Sequence, residues 1–133
     1  MNRFFTSILA TDTASTARFY ETVFGMRRHF TASWFVILVH DDAPGLELGI
    51  LSRDHAVVPS EVRAAPAGVM LTFVVEDCDA VLEAARRAGA HVVREPEAMP
   101  YGQRRALIRD PEGTVVDISA PIPDFTFDPA AMA

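Results

Sequence analysis

Phe5-Thr6-Ser7-Ile8-Leu9-Ala10-Thr11-Asp12 and Met70-Leu71-Thr72-Phe73-Val74-Val75-Glu76-Asp77 are two copies of one pattern. Each is an apolar run that closes on an aspartate and leads into a helix-like stretch, the first ending at Gly25 and the second at Gly89. Asp12 and Asp77 lie 77 − 12 = 65 residues apart, about half of the 133-residue chain. A repeat on that scale means a fold built from two similar halves. Two paired halves leave a groove between them, and grooves are where ligands bind.

Working outward, alternation predicts a strand over 3–10, with Phe5, Ser7 and Leu9 on one face and Phe4, Thr6, Ile8 and Ala10 on the other. Asp12 or Thr13 caps the next helix by accepting orphan backbone N–H groups. That helix reaches about Phe24, buries a stripe of Thr16, Tyr20, Val23 and Phe24, and stops at Gly25. Strands follow at 26–31, 34–40 and 46–51, the last two joined by the turn formers Asp41-Asp42-Ala43-Pro44-Gly45. A connector holds Pro59 and Pro66 and a short helical turn near Ser60–Ala64.

The second half repeats the plan. A strand spans 69–76 and a helix about 78–88, with Val81, Ala84, Ala85 and Ala88 as its buried stripe. Strands follow near 90–94, 103–109 and 114–119, and Asp110-Pro111-Glu112-Gly113 reads as a type I turn. The order βαβββ twice is an α+β fold: each helix covers one face of its sheet and the other face must line something. The expected architecture is two tandem βαβββ modules forming a half-barrel with an inner cavity, all in one domain. Module one is 1–52, the connector 53–67, module two 68–120 and the tail 121–133. The tail, with three prolines, Phe125 and Phe127, is expected to pack over a surface, its own or a partner's.

Composition narrows the function classes. A formal charge of −6 and a pI near 5.1 argue against nucleic acid as a partner. No stretch is apolar for the ~18 residues a bilayer crossing needs, and no secretory signal is evident, so the expected location is cytoplasmic and away from membranes. The single cysteine, Cys78, cannot form an internal disulfide and reads as a small filler after the Asp77 cap. All 12 basic residues are arginine, which excludes lysine Schiff-base chemistry.

One set of motifs spans residues 3–120. It begins with Asp12, then Arg18-Phe19-Tyr20-Glu21 and Phe24-Gly25. It continues with Leu46-Glu47-Leu48, the strand ending at Asp77, and Pro100-Tyr101-Gly102-Gln103-Arg104-Arg105. Arg109-Asp110-Pro111-Glu112-Gly113 then leads into Val116-Asp117-Ile118. In this order the chain resembles the vicinal-oxygen-chelate superfamily, which includes glyoxalase I, bleomycin-resistance proteins and extradiol dioxygenases. The resemblance implies the paired-module fold, a homodimer and, in metal-using members, four inward positions that ligate a divalent ion. Those positions here read Phe5, Glu47, Met70 and Asp117. Phenyl ligates nothing, and a thioether suits copper(I) rather than Mg, Mn, Zn or iron(II). Two carboxylates alone hold Mg²⁺ poorly without a phosphate's help. The expectation is therefore no permanent metal cofactor; if a divalent metal binds, Glu47 and Asp117 hold it.

Strand alternation then describes the hollow. Glu47 shares its face with Gly49 and Leu51, while Leu46, Leu48 and Ile50 face the helix. Asp117 joins Val115 and Ser119; Met70, Thr72 and Val74 line a third side and Phe5, Ser7 and Leu9 a fourth. Two acids opposed in an apolar hollow raise one pKa unless a cationic ligand or an arginine, Arg104 or Arg105, pairs with them. Trp34 and Tyr101 are candidate walls for a planar ligand. The expected ligand-binding set is Phe5, Ser7, Trp34, Glu47, Met70, Thr72, Tyr101, Arg105 and Asp117. Three functions fit. The first is a metal-free protein binding a small aromatic or cationic compound, as in the bleomycin-resistance branch. The others are a metal-dependent lyase, isomerase or dioxygenase using Glu47 and Asp117, and a metal-free tailoring enzyme with one of those carboxylates as general base.

Overall fold

Each repeated run becomes the edge strand of its own four-stranded sheet. The computed structural model describes residues 1–132. The first module is β1 (Thr6–Ala10), α1 (Thr13–Phe24), β2 (Arg27–Thr31), β3 (Phe35–Val39) and β4 (Leu48–Ser52). The second is β5 (Met70–Val74), α2 (Cys78–Arg87), β6 (His91–Ala98), β7 (Gln103–Arg109) and β8 (Val115–Pro121). Short 3-10 turns lie at Ser60–Val62 and Pro129–Met132. The strand orders, β1-β4-β3-β2 and β5-β8-β7-β6, are the same topology twice, with β1 parallel to β4 and β5 parallel to β8. The fold is α+β, two βαβββ modules.

Local chemistry fixes the two strand-to-helix corners. Asp12 Oδ1 accepts from the Ser15 N–H at 3.0 Å, and Asp77 Oδ1 from the Ala80 N–H at 3.0 Å. Gly25 closes α1 in the left-handed region at φ 69, where a Cβ would be strained. Thr16, Tyr20, Val23 and Phe24 are all buried, so the α1 stripe is as the spacing requires.

The modules share one core. Phe24 and Phe73 stack at 3.9 Å between ring centroids, and Tyr20 stacks on Phe73 at 5.9 Å. The Tyr20 hydroxyl donates to Asp110 Oδ2 at 2.6 Å in the buried interior. Asp110 Oδ1 accepts from the Glu112 and Thr114 N–H groups and so shapes its own turn. The Glu112 carboxylate in turn takes the N–H groups of Thr11 and Asp12 at 2.9 and 3.1 Å, the Thr11 hydroxyl and Arg53. One end of the module pair is therefore latched.

Several boundaries differ from the sequence reading. β1 starts at Thr6, because its partner β4 starts at Leu48 and leaves residues 3–5 unpaired. Leu46 and Glu47 precede β4 instead of opening it. The Leu46 N–H closes the turn on the Ala43 carbonyl at 3.1 Å, which leaves Leu46 exposed and not under the helix. The buried residues of α2 are Cys78, Leu82 and Ala85; of the expected stripe Ala85 is buried and Val81 and Ala84 half-buried, so the face is turned toward Leu82. Ala88 is exposed because it is the C-cap, beyond the last helical turn. β6 runs on through Pro96 to Ala98; an edge strand tolerates a proline, and bulges near Arg94 absorb the misfit.

Candidate functional site

The bare edge of β5 borders the main cleft, of about 1150 Å³. Across from Met70–Glu76 stand Phe4 and Phe5 before β1, Phe24 and Met26 at its floor, and the segment from His40 to Leu48. The lining is mostly apolar, and Met70 and Val74 are exposed within it. His40 also lines it; its Nδ1 accepts the Asp42 N–H at 3.0 Å, which puts the proton of the neutral ring on Nε2.

Phe5, Glu47, Met70 and Thr72 meet at this cleft. Glu47 has a partner the sequence reading did not name. Arg3 Nε donates to Glu47 Oε2 at 2.6 Å while Nη2 donates to Oε1, a two-pronged pairing. The same guanidinium lies 4.7 Å above the centroid of the Phe5 ring. Hydrogen bonding from Arg3 holds the Glu47 carboxyl below its ordinary range, so the expected upward shift from two opposed acids is not found at Glu47. Nor is the pairing arginine Arg104, which leans to the helix side and bonds Asp79 at 2.8 Å. Alternation places Arg3 on the Phe5 face, two residues earlier, and that is the signal that finds it.

Asp117 lies level with Thr72, not with Met70, whose partner is Val115. It is buried, at 6% exposure, and both oxygens are used: Oδ2 accepts from the Thr72 hydroxyl at 3.1 Å and Oδ1 from the Ser119 hydroxyl at 2.9 Å. Ser7 faces a smaller hollow of about 220 Å³ between β1 and the connector. It lies beside Gly49, where a Cβ would meet Ser7 Oγ at 2.7 Å and Phe35 at 3.0 Å. Trp34 stacks on His55 of the connector at 4.3 Å and on Phe35. Tyr101 sits on the β6–β7 turn, where Arg105 Nη1 donates to its hydroxyl at 3.4 Å. Ser7, Trp34, Tyr101, Arg105 and Asp117 are thus outside the lining of the main cleft.

The donor set does not fit a divalent ion. Phe5 has no lone pair to give, Met70 offers only sulfur, and the carboxylates of Glu47 and Asp117 are already bonded within the chain. Among the described residues no three His, Cys, Asp or Glu side chains converge as a metal site would require. No helix among them is long and apolar enough to cross a membrane.

Residues 4–118 match the sequence model of the Glyoxalase/Bleomycin resistance protein/Dioxygenase superfamily. A glyoxalase/bleomycin resistance protein/dioxygenase family enzyme from Burkholderia phytofirmans PsJN superposes with a TM-score of 0.77 at 21% identity, over 89% of this chain and 97% of that one. A glyoxalase-related enzyme from Fulvimarina pelagi superposes with a TM-score of 0.74 at 21% identity, over 90% of this chain and 88% of that one. At that identity the likeness is one of fold. Proteins of Mycobacterium bovis and Mycobacterium tuberculosis carrying the provisional name glyoxylase CFP32 are 37% identical over 51 residues. That match takes in 38% of this chain and only 20% of theirs.

Proposed function

Because the chain belongs to the Glyoxalase/Bleomycin resistance protein/Dioxygenase superfamily, we propose that it binds a small, planar, largely apolar organic compound in the main cleft without a permanent metal. One observation carries this reading. The cleft that the fold opens between its modules is walled by Phe4, Phe5, Leu46, Met70 and Phe73, and its two corner residues, Phe5 and Met70, are surfaces for packing rather than donors. A methionine beside aromatic rings adapts to flat ligands. Aromatic compounds suit the walls. In the Phe5–Glu47 corner a cationic group finds Glu47 already paired with Arg3, so that corner favours an aromatic body; the other lining acids, Asp42 and Glu76, stand at the far end.

A homodimer is part of the proposal. Val69, Met70 and Val74 are exposed along the unpaired edge of β5, and such an edge invites cover. A second copy laid there would close the cleft over its ligand. Light scattering of the wild-type chain should give twice the 14.6 kDa chain mass, and Val74→Lys should shift it toward the monomer.

The binding test is calorimetry against neutral, anionic and cationic planar aromatic compounds, before and after chelator treatment. At least one should bind, indifferent to chelator, and lose affinity tenfold or more in Met70→Glu. No binding by any of them, or binding that chelator abolishes, overturns the reading.

A further inference from the structure

We propose that Arg3 is the built-in counter-ion of the cleft residue Glu47: it occupies that carboxylate and keeps divalent ions and other cations out of that corner. The inference deepens the metal-free reading by naming the residue responsible. Fork pairing uses Nε and Nη2 against both carboxylate oxygens, so an incoming ion must first break two charge-assisted bonds. It must also sit beside a guanidinium that cannot deprotonate, and like charges a few ångströms apart repel. The Phe5 ring fixes Arg3 from the other side, at 4.7 Å, and adds no donor of its own.

The Glu47 side chain is 13% exposed and that of Arg3 is 53% exposed, so the arginine is the more solvent-facing partner of the pair. Glu47 lines the cleft and Arg3, bonded to it, stands just outside that lining, so a cation entering the corner meets a carboxylate whose two oxygens are already taken. In charge, the corner presented to a ligand is a neutral pair rather than a lone carboxylate, which selects against amines as well as metals.

The test titrates Co²⁺ alone, read by calorimetry and by the visible absorption of the bound ion. Phe5→His places a nitrogen donor beside Glu47. With Arg3 retained, this variant should take up Co²⁺ at least tenfold more weakly than the double variant Phe5→His, Arg3→Ala. Equal affinity in the two overturns the proposal, as does one equivalent of Co²⁺ held by the wild type and lost in Glu47→Gln. Should the Phe5 change impair folding, a second measurement leaves Phe5 alone. The Glu47 carboxyl, followed by ¹³C NMR, should titrate below the ordinary glutamate range in the wild type and move up into it in Arg3→Ala. An unchanged titration overturns the proposal. Because neither measurement uses an aromatic compound, failure of the aromatic panel leaves this result standing, and the two ideas fail separately.

Discussion

Tyr20→Phe isolates the bond that latches the modules. The substitution removes one oxygen and keeps the ring, which still packs edge-on to Phe19 at 5.2 Å and stacks on Phe24 at 6.1 Å and Phe73 at 5.9 Å. What is lost is a 2.6 Å bond to Asp110 Oδ2, leaving a carboxylate oxygen of a buried residue without that partner. A buried hydrogen bond to a charged group is worth about 1.5–3 kcal/mol. For a chain of this size that is a fall in Tm of roughly 5–10 °C, measurable by urea and thermal unfolding followed by circular dichroism at pH 7. The alkaline limb gives an independent check. Burial, then the charge of Asp110 and the bond to it, push the Tyr20 phenol far above its ordinary value. The folded state therefore holds a proton that the unfolded state releases. The phenol's contribution is complete below the unfolded pKa of about 10 and is lost as pH rises above it, by about 1.4 kcal/mol per pH unit. No lysine obscures this range; Cys78, whose buried thiol is also shifted up, titrates in both proteins and cancels. Wild type and variant should differ most near neutrality and converge between about pH 11 and 12. A variant within about 0.5 kcal/mol of wild type, with an equally steep alkaline limb, would show that the Tyr20–Asp110 bond does not hold the modules together.

The companion contact should titrate at the other end of the scale. Burial raises the Glu112 carboxyl, but bonds from Thr11 and Asp12 and the charge of Arg53 outweigh that and leave it below its usual range. Its contribution is present above the unfolded glutamate pKa and is lost as pH falls through the folded one. Urea unfolding should show Glu112→Gln less stable by about 1–2 kcal/mol at pH 7, with the gap narrowing below about pH 4. In Gly102→Ala, a Cβ would lie 2.7 Å from Phe125 at a backbone φ of +88, so the tail should lose its seat and become cut earlier by limited proteolysis. Leu82→Ala should cost about 2–5 kcal/mol in chemical denaturation, while Ala88→Ser should stay within about 0.5 kcal/mol, which checks the corrected face of α2.

The fold was legible because its signals are local and repeated. Asp12 and Asp77 announce their helices by the same N–H acceptance, and β-branched alternation marks the strands beside them. What escaped were events that depend on geometry between elements. The face of α2 was misplaced because Val81, Leu82, Ala84 and Ala85 are adjacent apolar positions that allow two neighbouring stripes, and packing against β7 and β8 decides between them. Arg3 escaped although it shares the Phe5 face, because nothing in the sequence says that its guanidinium turns onto Glu47, 44 residues away. Asp117 was expected to face Glu47 across the hollow, whereas ladder register sets it beside Thr72, two residues beyond Val115, the partner of Met70; such an offset preserves the face and changes the depth.

That same offset shows how a duplicated chain acquires one open end. On the register of β4 and β8, the turn Asp42-Ala43-Pro44-Gly45 corresponds to Asp110-Pro111-Glu112-Gly113, since 110 − 42 and 113 − 45 are both 68. Glu112 reaches the Thr11–Asp12 corner, but its counterpart Pro44 has neither carboxylate nor donor to offer the Glu76–Asp77 corner. Tyr20 reaches Asp110, but its counterpart on α2 is Ala85, 65 residues on, which cannot reach Asp42. Both losses fall at the same end, and there the cleft is lined by Asp42, Ala43 and Gly45 on one side and by Val75 and Glu76 on the other. The asymmetry follows from these substitutions rather than from the fold, whose two sheets have identical strand order. The latched end supplies stability through buried polar bonds, which frees the other end to carry an opening that contributes little to folding and is available for a ligand.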